Sequence, residues 1–313
     1  MGVVAAFIVP HPPMILPEIG RGEERQINRT VTAYHQVAKE IARLAPDIIV
    51  LTSPHAALYR DYFHISPGDS ARGSFAQFGY PEIEFEVTYA TDFVHELNKE
   101  AWKMELSAGS EGEQYSELDH GVMVPLYFVN QYYRDYSLVR IGLSGEPPEE
   151  HYRLGTCIQK VAGEQNKKVV LIASGDLSHK LKASGPYGYA KEGPEFDERV
   201  IKIIEQGEVK QFLNFDREFR VAAAECGLGS FQIMAGAFDK TILKSQLLSY
   251  EGPFGVGYAV AAFYIEQLRK SADSCEDAYI RLAKASLETY VKTGEMLKLQ
   301  NVVVLPDKML TEQ

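Results

Sequence analysis

Three of the eight histidines in this chain follow short apolar runs by only a few residues. Val3-Val4-Ala5-Ala6-Phe7-Ile8-Val9 leads into Pro10-His11-Pro12-Pro13, and Ile48-Ile49-Val50-Leu51 leads into Thr52-Ser53-Pro54-His55. Val169-Val170-Leu171-Ile172-Ala173 leads into Ser174-Gly175-Asp176-Leu177-Ser178-His179. Neutral imidazole is the commonest transition-metal ligand, and two imidazoles with one carboxylate hold ferrous iron while leaving positions open for substrate and dioxygen. His11 and His55 supply two such arms. Glu225 supplies the third: it stands alone between Ala222-Ala223-Ala224 and Cys226-Gly227 at what reads as a helix end. A carboxylate in apolar company is costly unless a cation compensates it. The other reading of Glu225 is a solvent-facing side chain beside an Ala-rich stretch. His179 follows Asp176 by three residues and suits a general acid or base, since its intrinsic pKa lies near neutrality; His120, between Asp119 and Gly121, is a second candidate. His35, His64, His95 and His151 lie in helix-like or polar stretches and read as structural or solvated.

Elements of a particular kind must position these groups. Short continuous apolar runs read as strands buried on both faces, as in a parallel sheet, and ligands of open parallel sheets gather at the strands' carboxyl ends. Ile27, Val31, Tyr34, Val37, Ala38, Ile41 and Leu44 recur at spacings of three and four, which predicts an amphipathic helix over residues 24–44. Further helices are expected over 90–105 and 149–162, and further strands over 137–143, 168–173 and 257–264. Alternating strands and helices give an α/β layered domain with right-handed crossovers. The Tyr-, Phe- and Gly-rich stretch 56–80 reads as an irregular excursion over the crevice, either a lid or a packed aromatic loop. Its aromatics could equally bury a homo-oligomer interface. Gly252-x-x-Gly255-x-Gly257 precedes a strand instead of opening a helix, so it is not a dinucleotide site. The main domain is expected to close near residue 268, giving domains 1–268 and 269–313.

Composition removes several classes of function. With 32 Lys and Arg against 43 Asp and Glu, a net charge of -11 disfavours a nucleic-acid-binding surface. Apolar stretches fall short of the ~20 residues that span a bilayer, so a soluble, cytoplasmic protein without membrane partners is expected. Three widely separated cysteines, Cys157, Cys226 and Cys275, make neither a disulfide framework nor a CxxC zinc pattern.

Pro10-His11-Pro12-Pro13, Ser53-Pro54-His55, Asp119-His120-Gly121-Val122-x-Val124-Pro125-Leu126, Ser174-Gly175-Asp176-Leu177-Ser178-His179 and Glu225-Cys226-Gly227, in that order, resemble the catalytic B subunit of class III extradiol ring-cleavage dioxygenases. The resemblance covers residues 1 to about 268 and implies a three-layer α/β/α sandwich with a mostly parallel central sheet. It further implies Fe(II) held by His11, His55 and Glu225, with His179 as the base toward a catechol-like substrate cleaved with O2. His120 matches a substrate-contacting or supporting histidine. Asp277 to Val291 resembles the opening helix of an AMMECR1 domain, so the tail reads as a partial AMMECR1-like segment. Chains linked to that domain resemble Memo proteins, in which a Cys beside Gly takes the third metal position. Cys226-Gly227 matches that pattern and implies an alternative: a metal-binding protein acting through a partner, without ring cleavage.

Overall fold

The computed structural model describes residues 1–268 apart from 113, 115 and 116, together with positions 286 and 290. Met1–Gln267 form one compact unit and Leu268–Gln313 a second. The AMMECR1-like stretch falls outside the described residues.

The chain begins with strand β1 (Gly2–Val9), a single helical turn α1 (Pro17–Gly20), helix α2 (Asn28–Leu44) and strand β2 (Ile48–Ser53). Then come the short β3 (Phe63–His64), the hairpin β4 (Ser70–Phe75) and β5 (Tyr80–Thr88), helix α3 (Thr91–Lys103), the short β6 (Ala108–Gly109) and helix α4 (His120–Val129). Strand β7 (Ser137–Gly142), helix α5 (Pro148–Glu164) and strand β8 (Lys168–Ser174) complete the first βα series. Helices α6 (Glu192–Gln206), α7 (Arg217–Ala223) and α8 (Leu228–Ala237) precede strands β9 (Thr241–Glu251) and β10 (Tyr258–Leu268).

Six strands make the central sheet, in the order β7-β2-β8-β1-β10-β9. β7, β2, β8 and β1 are mutually parallel, and β10 runs antiparallel to β1. The period of two along each strand divides the core in half. Ala6, Ile8, Ile48, Val50, Val169 and Leu171 face a layer built on α3, α5, α6 and α8. Ala5, Phe7, Ile49, Leu51, Val170 and Ile172 face a layer built on α2 and α4. Both faces of the sheet are thus covered, which is why its inner strands read as unbroken apolar runs. The result is the expected three-layer α/β/α sandwich.

α4 shows how burial can hide a helix from periodicity. Gly121 to Leu126, Phe128 and Val129 are all buried, so no polar face marks it, and Pro125 interrupts its sequence. Asp119 caps it by accepting a hydrogen bond from Val122 N. The expected irregular excursion at 56–80 is more regular than its composition suggests, since β4 pairs with β5 and packs Phe75 and Phe85 into the core beside α4. Among the described residues no helix is long and apolar enough to cross a membrane.

Candidate metal centre and active site

Strand register carries the site. Val9 of β1 faces Ser174 of β8, and two residues further His11 comes beside Asp176. Thr52 of β2 faces Ala173, and three residues further His55 comes to the other side of Asp176. Side chains at His55, Asp176 and His11 continue the alternation that puts Leu51, Ile172 and Val9 toward α2 and α4. The amino terminus of α4 meets them there and brings in His120.

Ligand atoms of His11, His55 and His120 all lie within 4.8 Å of one another. His55 Nε2 stands 3.0 Å from His11 Nε2, and the His55 and His120 rings lie 4.0 Å apart between centroids. His11 is held from behind: its backbone N–H donates to Asp176 Oδ1 (2.9 Å), and its Nδ1 meets Ser174 Oγ (3.0 Å), which donates to Gly121 O (2.6 Å). With Nδ1 so engaged, Nε2 is the atom left to face a ligand. Ser53 Oγ accepts from His55 N and donates to Asp119 Oδ1 (2.6 Å), so β2 and the cap of α4 are joined directly.

Electrostatics keeps these rings neutral. Burial lowers the pKa of His11 well below its usual value, and the neighbouring His55 and His179 lower it further. His120 falls to about 3, through burial and then His55 and His11, against the pull of Asp119. His55, at the exposed rim, is lowered by desolvation that outweighs Asp119 and Asp176. Neutral imidazole is the form that binds a metal ion. Burial raises Asp176 to about 6, opposed by the His11 N–H and by His179 and His55.

The structure places the expected third arm apart from the other two. Glu225 is buried, but the cation beside it is a guanidinium: Arg220 Nε donates to Oε1 (2.8 Å), and Leu228 N donates to Oε2 (2.7 Å). Both carboxylate oxygens are thereby engaged, one of them on the first N–H of α8, and Glu225 joins neither of the converging ligand groups among the described residues. A buried carboxylate needs a cation, and Arg220, five residues upstream in the sequence, supplies it. Cys226 turns the other way. Its Sγ lies 3.7 Å from His11 Nε2 and accepts from Asp176 N (3.3 Å), and the ligand atoms of His11, Asp176 and Cys226 lie within 4.8 Å of one another. Burial, then Asp176, holds this thiol well above its usual pKa.

Gly175 makes that approach possible. A Cβ built on Gly175 would come within 2.1 Å of Gly227 Cα, so the segment after β8 and the segment carrying Cys226 touch backbone to backbone.

His179 stands beside the cluster on the loop after β8. Its N–H donates to Ala223 O (3.2 Å), and Ser178 is bonded to Ala223 O and to Asp197, which ties the loop to α7 and α6. His179 Nε2 is buried without a hydrogen-bond partner among the described residues, and Tyr187 lies against the ring at 5.0 Å. Burial lowers its pKa, with Asp176 pulling the other way, so at neutral pH it is a proton acceptor. The expected structural histidines stay apart: His151, for one, is buried with Nδ1 on Pro147 O.

The fold and the cluster define a scaffold with nitrogen, oxygen and sulfur donors converging at the carboxyl edge of a parallel sheet, a set that fits a first-row transition metal. The chain belongs to the family described as the catalytic LigB subunit of aromatic ring-opening dioxygenase, which it matches over residues 5–261. It is 35% identical to a Clostridium acetobutylicum protein known by its locus alone, over 95% of this chain and 68% of that one. The 3,4-dihydroxyphenylacetate 2,3-dioxygenase of Escherichia coli is 25% identical over 69% of this chain and 82% of its own length. A MEMO1 family protein of Methanosarcina mazei is 26% identical over 46% of this chain and 57% of its own.

Proposed function

We propose that this chain is a metal-dependent oxidoreductase that opens a catechol-like aromatic ring with O2, using Fe(II). The observation that supports it best is the convergence of three neutral imidazoles, His11, His55 and His120, at a strand-end crevice with an unpartnered His179 beside them. His11 and His55 would hold the ion, with His120 or the Asp176 and Cys226 pair completing the set in place of Glu225. When bound, ferrous iron would supply Lewis acidity toward the diol oxygens and a place for dioxygen.

The remaining work falls to the protein. Ser174 and Asp176 fix the orientation of His11, and Ser53 with Asp119 fix the approach of His55. His179 Nε2 takes the proton of a substrate hydroxyl and can return it later, since it has no protein partner competing for its lone pair. Tyr187 provides a flat apolar wall against which a planar ring can rest. In the net reaction one ring C–C bond breaks and both atoms of O2 enter the product, so no external reductant is needed.

The test is oxygen uptake by anaerobically Fe(II)-loaded protein over a panel of catechols, with the ring-opened product followed by absorbance. Uptake matched to product formation is expected. Metal binding without uptake on any catechol would overturn the reading in favour of a second one, which the position of Cys226 supports. With a thiolate within reach of His11, the site would hold a softer ion such as copper or zinc, and the protein would act through a partner without cleaving rings.

A further inference from the structure

The row of strand ends that carries the site has a fourth member. Ile8 of β1 faces Ala261 of the antiparallel β10, and three residues further along β1 the same register brings His11 opposite Tyr258. The row across four adjacent strands therefore reads His55, Asp176, His11, Tyr258. Tyr258, Val260 and Ala262 belong to the core layer of Phe7 and Val9, so Tyr258 shares its face of the sheet with the other three.

Tyr258 is 3% exposed, yet its hydroxyl is hydrogen-bonded to none of the described residues. In the same layer Tyr34 OH donates to Pro10 O, while Tyr89 OH, on the strand-start side of the sheet beside Leu138, shares with Tyr258 the lack of a partner among the described residues. The Tyr258 hydroxyl is not among the fully enclosed unpartnered atoms, so it opens onto the crevice, where a ligand's oxygen can take the place of water. Burial first, and then the neighbouring Asp176, Tyr187 and Cys226 of this site, raise the phenol's pKa and keep it a donor.

We propose that Tyr258 is a substrate-contacting residue whose O–H donates a hydrogen bond to an oxygen of the bound aromatic, on the side of His11 away from His55. It rests on the reading of the crevice as a site for catechol-like rings. Tyr258 then opposes His179 in function: one group takes a proton from the substrate, and the other donates a hydrogen bond without giving its proton up. A diol or a ring with an adjacent oxygen substituent would be preferred over a plain phenol.

The test uses Tyr258→Phe in the full chain, loaded with Fe(II) without oxygen and titrated with 4-nitrocatechol by visible absorption. Loss of one hydrogen bond predicts binding weaker by about tenfold. Metal content should be unchanged and the Tm unchanged or slightly higher, because the hydroxyl removed has no partner in the fold. Equal binding by the variant and the parent protein would overturn the inference. So would a lower Tm or loss of metal, either of which would make the hydroxyl structural. Absence of 4-nitrocatechol binding by the parent protein would instead overturn the catechol reading of the site, a failure visible before the variant is considered.

Discussion

In mid-strand, β1, β2 and β8 present Phe7, Ile49, Leu51 and Ile172 to the α2 and α4 layer, all fully buried and apolar. At the carboxyl ends, the same face of the same strands presents Ser53, His55, Ser174, Asp176 and His11. Hydrophobic transfer holds the first region, at roughly 1.5–3 kcal/mol for each large side chain. The second is held by a hydrogen-bond chain from Gly121 through Ser174 to His11 and on to Asp176. Buried polar groups of this kind add stability only when satisfied. The contrast shows how one ladder serves two purposes: its register is fixed by packing in the middle and spent on chemistry at the end.

Substitutions in the two regions should fail differently. His11→Ala should abolish metal retention and bring turnover to background while leaving a cooperative unfolding transition; metal analysis after gel filtration, alongside urea melts, checks both. His179→Gln should keep the metal and lower kcat by about 10²–10⁴-fold, as expected for loss of a positioned acid or base. In the apolar region Phe7→Ala should cost about 3–5 kcal/mol in urea unfolding, and the fraction that remains folded should bind metal normally.

The adjacent residues 225 and 226 sharpen the comparison within a single turn. Cys226→Ser should weaken metal binding by about 10–100-fold in a competition titration with a chelator. Glu225→Gln should leave that affinity unchanged but cost about 1–3 kcal/mol by stranding Arg220. A Glu225→Gln variant that loses metal would restore Glu225 as a ligand. An effect on stability alone is expected at Asp197, which burial raises to about 7 although Tyr250 and Ser178 N–H favour its charged form. Its folded pKa lies above the unfolded value of about 3.9, so its contribution is fully present below about pH 4 and fades as pH rises through 7. Asp197→Asn should flatten the stability profile across that window, as measured by urea melts at stepped pH.

Much of the scaffold was readable because β1, β2, β7 and β8 are buried on both faces, and helix α2 shows an unambiguous period. His11, His55 and His179 were readable for the same reason: strand ends are marked by the residues that stop the apolar run. The helices α6 and α8 and strand β9 were not anticipated. α8 is buried throughout and, like α4, lacks a polar face to betray its period. The choice between Glu225 and Cys226 was beyond reach for another reason. Ala224 ends α7 in a left-handed conformation at φ 55°, and beyond that turn Glu225 reaches Arg220 while Cys226 reaches His11. Neither propensity nor spacing encodes it.

The contact of Gly175 with Gly227 has a consequence for how this site can vary. Two loops far apart in the chain meet there with no side chain between them: Gly175 cannot acquire even a methyl group unless Gly227 retreats, whereas a methyl group on Gly227 would first meet the Phe231 ring at 2.6 Å. Such a retreat would withdraw the sulfur of residue 226 from the imidazole of residue 11. The bare Cα of residue 175 thus acts as the spacer between the halves of the donor set, and an alanine there would be a way to widen the centre without replacing any of its donor groups.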